Sequence, residues 1–146
     1  MATSVQIVID CADPASLGEF WATALGYVVQ PPPPGYGSWP EFLADKGLPP
    51  DRWNMANAVV DPAGTGPRLF FQQVPEPKTV KNRVHLDLNV GGGHAVPTDE
   101  RARRVDAEVH RLVAAGAGVV REQINEDFGE RCVVLRDPEG NEFCVQ

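Results

Sequence analysis

"VHLDLN", residues 84–89, decides the fold, because it repeats an earlier segment of the chain, "VQIVID", residues 5–10. In the later copy, apolar residues alternate with polar ones, which is the pattern of a β-strand with one face in an apolar core. The polar face carries His85 and Asp87, whose short side chains can bind a ligand or carry a proton. Such a face either meets solvent or lines a site, and the alternation by itself leaves both interpretations open.

The similarity between the two halves extends beyond these strands. "EFWATALGYVV", residues 19–29, resembles "EVHRLVAAGAGVV", residues 108–120, and "VVDPAG", residues 59–64, resembles "LRDPEG", residues 135–140. Because the matches recur in the same order, they favour an internal duplication. Each half then contains a strand, a helix and three further strands. The sequence therefore predicts an α+β fold of two βαβββ modules with pseudo-twofold symmetry.

The length of 146 residues fits one domain made of two similar halves. We predict a single domain, residues 1–146, with module one at about 1–75 and module two at about 83–146. The segment between them, residues 75–82, contains two prolines and joins the halves.

The helix boundaries follow from capping signals. Asp13 is placed to cap the first helix, and Gly26 to end it. The second helix is predicted to begin at Thr98 or Asp99 and to end at Ala115.

Two segments are predicted to be connections. Residues 30–53 contain four consecutive prolines, which exclude helix and sheet ladder there. The aromatic residues of this segment either belong to the core or cover a binding site, and we favour the second role for Trp39. Residues 121–131 are strongly charged and are predicted to connect two elements of the second half.

Composition limits the partners and the setting of the protein. The formal net charge of −7 disfavours nucleic acid and anionic membranes as partners, because both would repel the chain. No apolar run is long enough to span a bilayer. The cysteines, Cys11, Cys132 and Cys144, are odd in number and lack a C-x-x-C spacing, so we predict a reduced, cytoplasmic setting.

Four segments together resemble the vicinal oxygen chelate superfamily, the glyoxalase I, bleomycin-resistance and extradiol-dioxygenase group, and within it the glyoxalase-like domain proteins. They are "DCADPASLGEFWATALGY" (10–27), "LFFQQVPEPKTVKNRVHLDLNVGGG" (69–93), "EVHRLVAAGAGVV" (108–120) and "LRDPEGNEFCVQ" (135–146). The resemblance covers essentially the whole chain. It implies two curled sheets around a cupped site, with the polar face of residues 84–89 pointing into the cup. We also expect a homodimer, because half-open sheets of this size expose edges and apolar surface.

Family members that bind a metal take ligands from four inward strand positions. The resemblance places Gln6, Gln72, His85 and Cys144 at these positions, with Cys144 where metal-binding members have Glu. A divalent metal site needs charge-neutralising ligands, and His85 is the one good ligand of the set. We therefore expect no certain cofactor: a divalent metal would have to use a degenerate ligand set around His85.

The candidate catalytic residues are His85 and Asp87, as a general acid–base and a neighbouring carboxylate. Residues i and i+2 of a strand stand about 6.5–7 Å apart, so a direct hydrogen bond between the two side chains is not expected. Cys144 is either a nucleophile activated by His85 or a small apolar filler, and the second is favoured. Arg83 belongs to a basic cluster with Lys78 and Lys81 that attracts an anionic ligand or simply meets solvent.

The predicted site unites these residues. The candidate ligand-binding residues are Gln6, Gln72, Cys144, Trp39 and Arg83, and we expect the first three to converge with His85 and Asp87 on one cavity, with Trp39 at its rim. The resemblance implies an enzyme of lyase, isomerase or dioxygenase type that acts on a small organic substrate. The alternative is a non-catalytic protein of the resistance type, which sequesters an aromatic or cationic compound.

Overall fold

The computed structural model describes residues 1–146, which form two compact units, Met1–Pro77 and Lys78–Gln146. The boundary between them falls inside the segment 75–82 that the sequence assigns to the junction of the halves. None of the helices is both long enough and apolar enough to cross a membrane.

The first unit is a four-stranded sheet with a helix packed on it. Its elements are β1 (Ile7–Cys11), α1 (Pro14–Leu25), β2 (Val28–Val29), α2 (Trp39–Asp45), a 3-10 helix (Pro50–Met55), β3 (Ala56–Val60) and β4 (Leu69–Gln73). The strand order is β1-β4-β3-β2, and β1 runs parallel to β4 while the other pairs are antiparallel.

The second unit repeats this plan. Its elements are β5 (Asp87–Leu88), α3 (Thr98–Ala114), β6 (Gly118–Asn125), β7 (Glu130–Arg136) and β8 (Glu142–Val145). The strand order is β5-β8-β7-β6, again with one parallel pair, β5 with β8. The predicted α+β architecture of two βαβββ modules is confirmed.

The two D-P-x-G segments form equivalent turns. In each, the glycine N–H donates to the aspartate carbonyl at 2.9 Å, from Gly64 to Asp61 and from Gly140 to Asp137. Each aspartate side chain also accepts from the backbone N–H two residues on, at 2.8 Å for Asp61 and 3.0 Å for Asp137. The glycines have φ values of 70° and 89°, which an L side chain adopts only with strain. The repeat seen in the sequence is therefore a repeat of backbone geometry.

Helix α1 follows its sequence signals closely. The Asp13 side chain accepts a hydrogen bond from the Ser16 N–H at 3.2 Å, and Gly26 ends the helix in the left-handed conformation with φ 68°. The buried face of α1 includes Leu17, Phe20 and Trp21, at helical spacing. This face packs on β3 and β4, so the apolar core of the first unit lies on one side of its sheet.

Two predictions about connections are wrong. The segment 30–53 contains α2 and most of the 3-10 helix, and its irregular parts are the stretch that includes the prolines, residues 30–38, and the short link 46–49. The segment 121–131 is mostly strand, because β6 continues to Asn125 and β7 begins at Glu130. Strand β6 lies at the sheet edge and is exposed along its whole length, which explains why its charged sequence resembles a connection.

Candidate functional site

A large apolar cavity lies in the first unit. Its volume is about 550 Å³, and it lies against the sheet face that carries Phe70, opposite to the face that carries Phe71 and packs on α1. Its apolar wall comes from Val29, Trp39, Leu43, Leu48, Trp53, Met55, Ala58 and Phe70. Because β4 alternates, the fully buried Phe71 belongs to the core while its neighbour Phe70 belongs to the cavity.

The cover of this cavity is built by α2 and the 3-10 helix. Ser38 caps α2 by accepting from the Glu41 N–H at 3.2 Å. The indole N–H of Trp39 donates to the Gln30 carbonyl at 2.7 Å, and that of Trp53 donates to the Leu48 carbonyl at 2.9 Å. Both polar atoms of the tryptophans are thus satisfied within the protein, which fixes the rings and leaves their apolar surfaces to line the cavity.

Two arginines supply the charge of the cavity lining, Arg52 and Arg68. Arg68 Nε donates to Gln30 Oε1 at 2.6 Å, and Arg68 Nη1 donates to Gln6 Oε1 at 2.5 Å. The Arg68 guanidinium also lies 5.1 Å from the ring centroid of Phe70. Sequence reasoning missed Arg68, although it stands two residues before Phe70 and therefore on the same face of the sheet.

In the second unit, three of the predicted site residues come together. His85 Nδ1 and Asp87 Oδ1 lie 2.8 Å apart, and the ligand atoms of His85, Asp87 and Cys144 all lie within 4.8 Å of one another. Asp87 of β5 pairs with Cys144 of β8, which puts them side by side on one face. The prediction that His85 and Asp87 do not bond directly is wrong. His85 precedes the two-residue ladder of β5, so the pleat does not hold its side chain parallel to that of Asp87.

The Cys144 thiol is protonated at neutral pH in this setting. Burial, followed by the charge of the Asp87 carboxylate and the proximity of Cys132, raises the pKa of Cys144 to about 12. A thiol with so high a pKa donates a hydrogen bond and fills space, but it supplies no thiolate. This geometry supports the role of a small buried filler and argues against a nucleophile.

Three of the other predicted site residues, Gln6, Gln72 and Trp39, belong to the first unit, and Arg83 belongs to the second. Gln6 contacts Arg68, and Gln72 lies on β4 opposite Asp10 of β1. Trp39 lies on the cavity wall, on a helix instead of an irregular loop. Arg83 is exposed. The convergence of all these residues on one cavity stays a prediction.

The four family positions do not fit a divalent metal ion. Gln6 Oε1 already accepts a hydrogen bond from the Arg68 guanidinium, whose positive charge opposes a cation at that oxygen. Gln72 offers a neutral amide, which brings no negative charge to a divalent ion. The ligand atoms of His85, Asp87 and Cys144 lie within 4.8 Å of one another, but His85 Nδ1 and Asp87 Oδ1 are hydrogen-bonded to each other, and Asp87 is not one of the four positions. We therefore derive no chemistry through a metal.

The duplicated βαβββ architecture is the one that the sequence resemblance to the vicinal oxygen chelate superfamily implies. The model of the family described as the glyoxalase-like domain matches residues 6–146, so the chain belongs to this family. A search of the curated proteins finds no match.

Solved structures share this fold at low sequence identity. The chain is similar to a glyoxalase/bleomycin resistance protein/dioxygenase family enzyme from Burkholderia phytofirmans PsJN, with 16% identity, 96% of this chain and 94% of that chain covered, and a TM-score of 0.60. It is similar to the fosfomycin resistance protein FosX from Listeria monocytogenes, with 12% identity, 100% and 90% covered, and a TM-score of 0.62. It is also similar to a lactoylglutathione lyase from Agrobacterium tumefaciens, with 12% identity, 99% and 92% covered, and a TM-score of 0.57. These similarities establish the fold alone.

Proposed function

We propose that this protein binds a small, largely apolar organic molecule in the cavity between Trp39 and Trp53. The observation that carries the proposal is the cavity itself, at about 550 Å³ and with both indole N–H groups satisfied within the protein. Ligand pockets in proteins have volumes of about 300–1,000 Å³ and mostly apolar walls with a few polar groups. Packing defects of protein cores are much smaller, since few voids exceed the size of a water molecule.

The Trp39→Ala variant should bind the neutral fluorescent probe phenylnaphthylamine about tenfold more weakly than the wild type, because truncation of a buried aromatic contact at a binding site typically costs more than 1 kcal/mol. Fluorescence titration measures the affinity. The matched control is Phe128→Ala, which removes an exposed aromatic side chain from the second unit and should leave the affinity unchanged. Equal affinities for all three proteins would contradict the proposal.

A second candidate function is proton transfer by His85. The supporting observation is the 2.8 Å contact between His85 Nδ1 and Asp87 Oδ1. A carboxylate in this position orients the imidazole and fixes its proton on Nδ1, so that Nε2 is available to a substrate. This arrangement suits a glyoxalase-like lyase or isomerase, in which a proton moves on a small organic substrate.

We expect His85→Gln to lower such an activity by about a hundredfold, since a general acid–base contributes typically 10²–10⁴-fold. S-lactoylglutathione, after the lyase that shares the fold, is the first substrate to assay. His110→Gln, at an exposed position on α3, is the matched control. The melting temperature should move by only a few degrees, because the His85 side chain is 42% exposed. If the His85→Gln variant turns the substrate over as fast as the wild type does, His85 is excluded as the general acid–base.

Assembly and location belong to the same proposal. We propose a homodimer, supported by the edge strand β2, whose Val28 and Val29 are 45% and 41% exposed. We propose a reducing, cytoplasmic setting, supported by three cysteines that form no disulfide.

A further inference from the structure

We propose that the ligand of the Trp39–Trp53 cavity is an organic anion, a planar or apolar body that carries a carboxylate, sulfonate or phosphonate, and that Arg68 recognises its charged group. This inference rests on the proposed binding function and names the ligand class. The charged residues that line the cavity are Arg52 and Arg68, and no acidic residue lines it. The local charge is therefore opposite in sign to the net charge of −7.

The guanidinium of Arg68 has only uncharged partners within the protein. Its partners in the protein are the neutral side-chain oxygens of Gln30 and Gln6 and the ring of Phe70. A guanidinium carries five N–H donors, so most of those on Arg68 remain available. The two glutamines hold the planar group in one orientation, which suits two parallel hydrogen bonds to a carboxylate or a similar anion.

The position of these two arginines beside an apolar wall is informative. The chain has 20 acidic residues for 13 basic ones, so carboxylate partners are plentiful. Five arginines form ion pairs with carboxylates, namely Arg103, Arg104, Arg111, Arg131 and Arg136. Of the arginines that form none, Arg52 and Arg68 line the apolar cavity, and the contact of Arg52 is with the Met55 sulfur at 3.3 Å. Two guanidinium groups without carboxylates beside an apolar wall favour an anionic ligand and disfavour the cationic one considered from the sequence.

The test uses two probes with the same ring system, anilinonaphthalene sulfonate, which is an anion, and phenylnaphthylamine, which is neutral. The Arg68→Gln variant should bind the sulfonate about tenfold more weakly, since it loses a charge-assisted hydrogen bond. The affinity for the neutral probe should change by less than about twofold, because this probe makes no charged contact. The Arg68→Lys variant keeps the positive charge but loses the planar guanidinium and its parallel N–H donors. Its affinity for the sulfonate should therefore lie between those of the wild type and Arg68→Gln.

The matched control is Arg121→Gln, which removes the same charge from an exposed position on β6 of the second unit. It should bind both probes as the wild type does, and the melting temperature of each variant should be measured to check that it is folded. If Arg68→Gln weakens both probes equally, or neither, the anion assignment is overturned while the binding function stands. If neither probe binds the wild type in a manner sensitive to Trp39→Ala, the binding function fails and the ligand assignment fails with it.

Discussion

The Phe71→Ala variant should lose about 3–5 kcal/mol of the free energy of unfolding, the range that truncation of a buried phenylalanine typically costs. Phe71 lies on β4 and is 0% exposed. Its ring packs beneath α1, where Gly18 lets the helix approach the sheet: a side-chain carbon at Gly18 would lie 2.8 Å from Asn57 Nδ2. A packed interface of this kind cannot close around the void left by the ring, so the lost burial is not recovered.

Phe70→Ala is the matched comparison, because the same side chain is removed one residue away on the opposite face of β4. Phe70 is only half-buried and lines the cavity, so we expect a loss of about 1–2 kcal/mol in stability. Tryptophan fluorescence in a urea titration measures both variants, since Trp21, Trp39 and Trp53 all lie in the first unit. Equal losses would mean that β4 does not separate a core face from a cavity face.

The parts of the fold that the sequence predicts correctly are those encoded by neighbouring residues. Asp13 and Gly26 bound α1 through contacts within one helical turn, and the aspartates of the two D-P-x-G turns bond their own backbone. The duplication is visible because these local signals recur in the same order in both halves. The topology of both sheets then follows from the βαβββ plan.

The parts that sequence reasoning missed have two causes. Residues 121–125 continue β6 because they pair with β7, although they are exposed and mostly polar, and the partner strand is distant information that their own composition does not contain. Helix α2 forms after the proline run because Ser38 caps it and Pro40 is tolerated in its first turn. This cap is a local signal, but the prolines that precede it favour an irregular segment.

The candidate site also has some features that the local sequence predicts and others that it does not. The alternation of residues 84–89 places His85 and Asp87 correctly on one face, and the register of β5 with β8 adds Cys144. The role of Arg68 could not be read from its neighbours, because its significance comes from Gln6 and Gln30, both distant in sequence. Ideal strand spacing does not predict the direct contact of His85 with Asp87, because His85 lies outside the ladder of β5.

Glu142 is a buried carboxylate whose charge should stabilise the second unit. It is 8% exposed, on β8, and its Oε2 accepts from the Asn82 N–H at 2.9 Å and from Lys78 Nζ at 3.3 Å. The Asn82 hydrogen bond, aided by Lys78, lowers the pKa of Glu142 from 4.5 to about 2. The interaction thus ties the segment that opens the second unit to its last strand.

We expect Glu142→Gln to lower the free energy of unfolding by up to about 3 kcal/mol at pH 7, since each tenfold change in proton affinity corresponds to about 1.4 kcal/mol and the pKa is lowered from 4.5 to about 2. The folded state holds the pKa of Glu142 below that of the unfolded state, so the stabilisation is complete above the unfolded value of 4.5. It is lost as the pH falls from 4.5 towards about 2, because in this range the unfolded chain binds a proton at Glu142 that the folded protein does not, which stabilises the unfolded state.

The difference in stability between wild type and Glu142→Gln, measured by circular dichroism in urea, should therefore shrink steadily as the pH is lowered through this range. Glu126→Gln is the matched control, because it removes the same charge from an exposed residue between β6 and β7, and its effect should be small at every pH. A difference for Glu142→Gln that does not depend on pH would show that the glutamine disturbs packing. In that case the carboxylate charge would not be what joins Asn82 and Lys78 to β8.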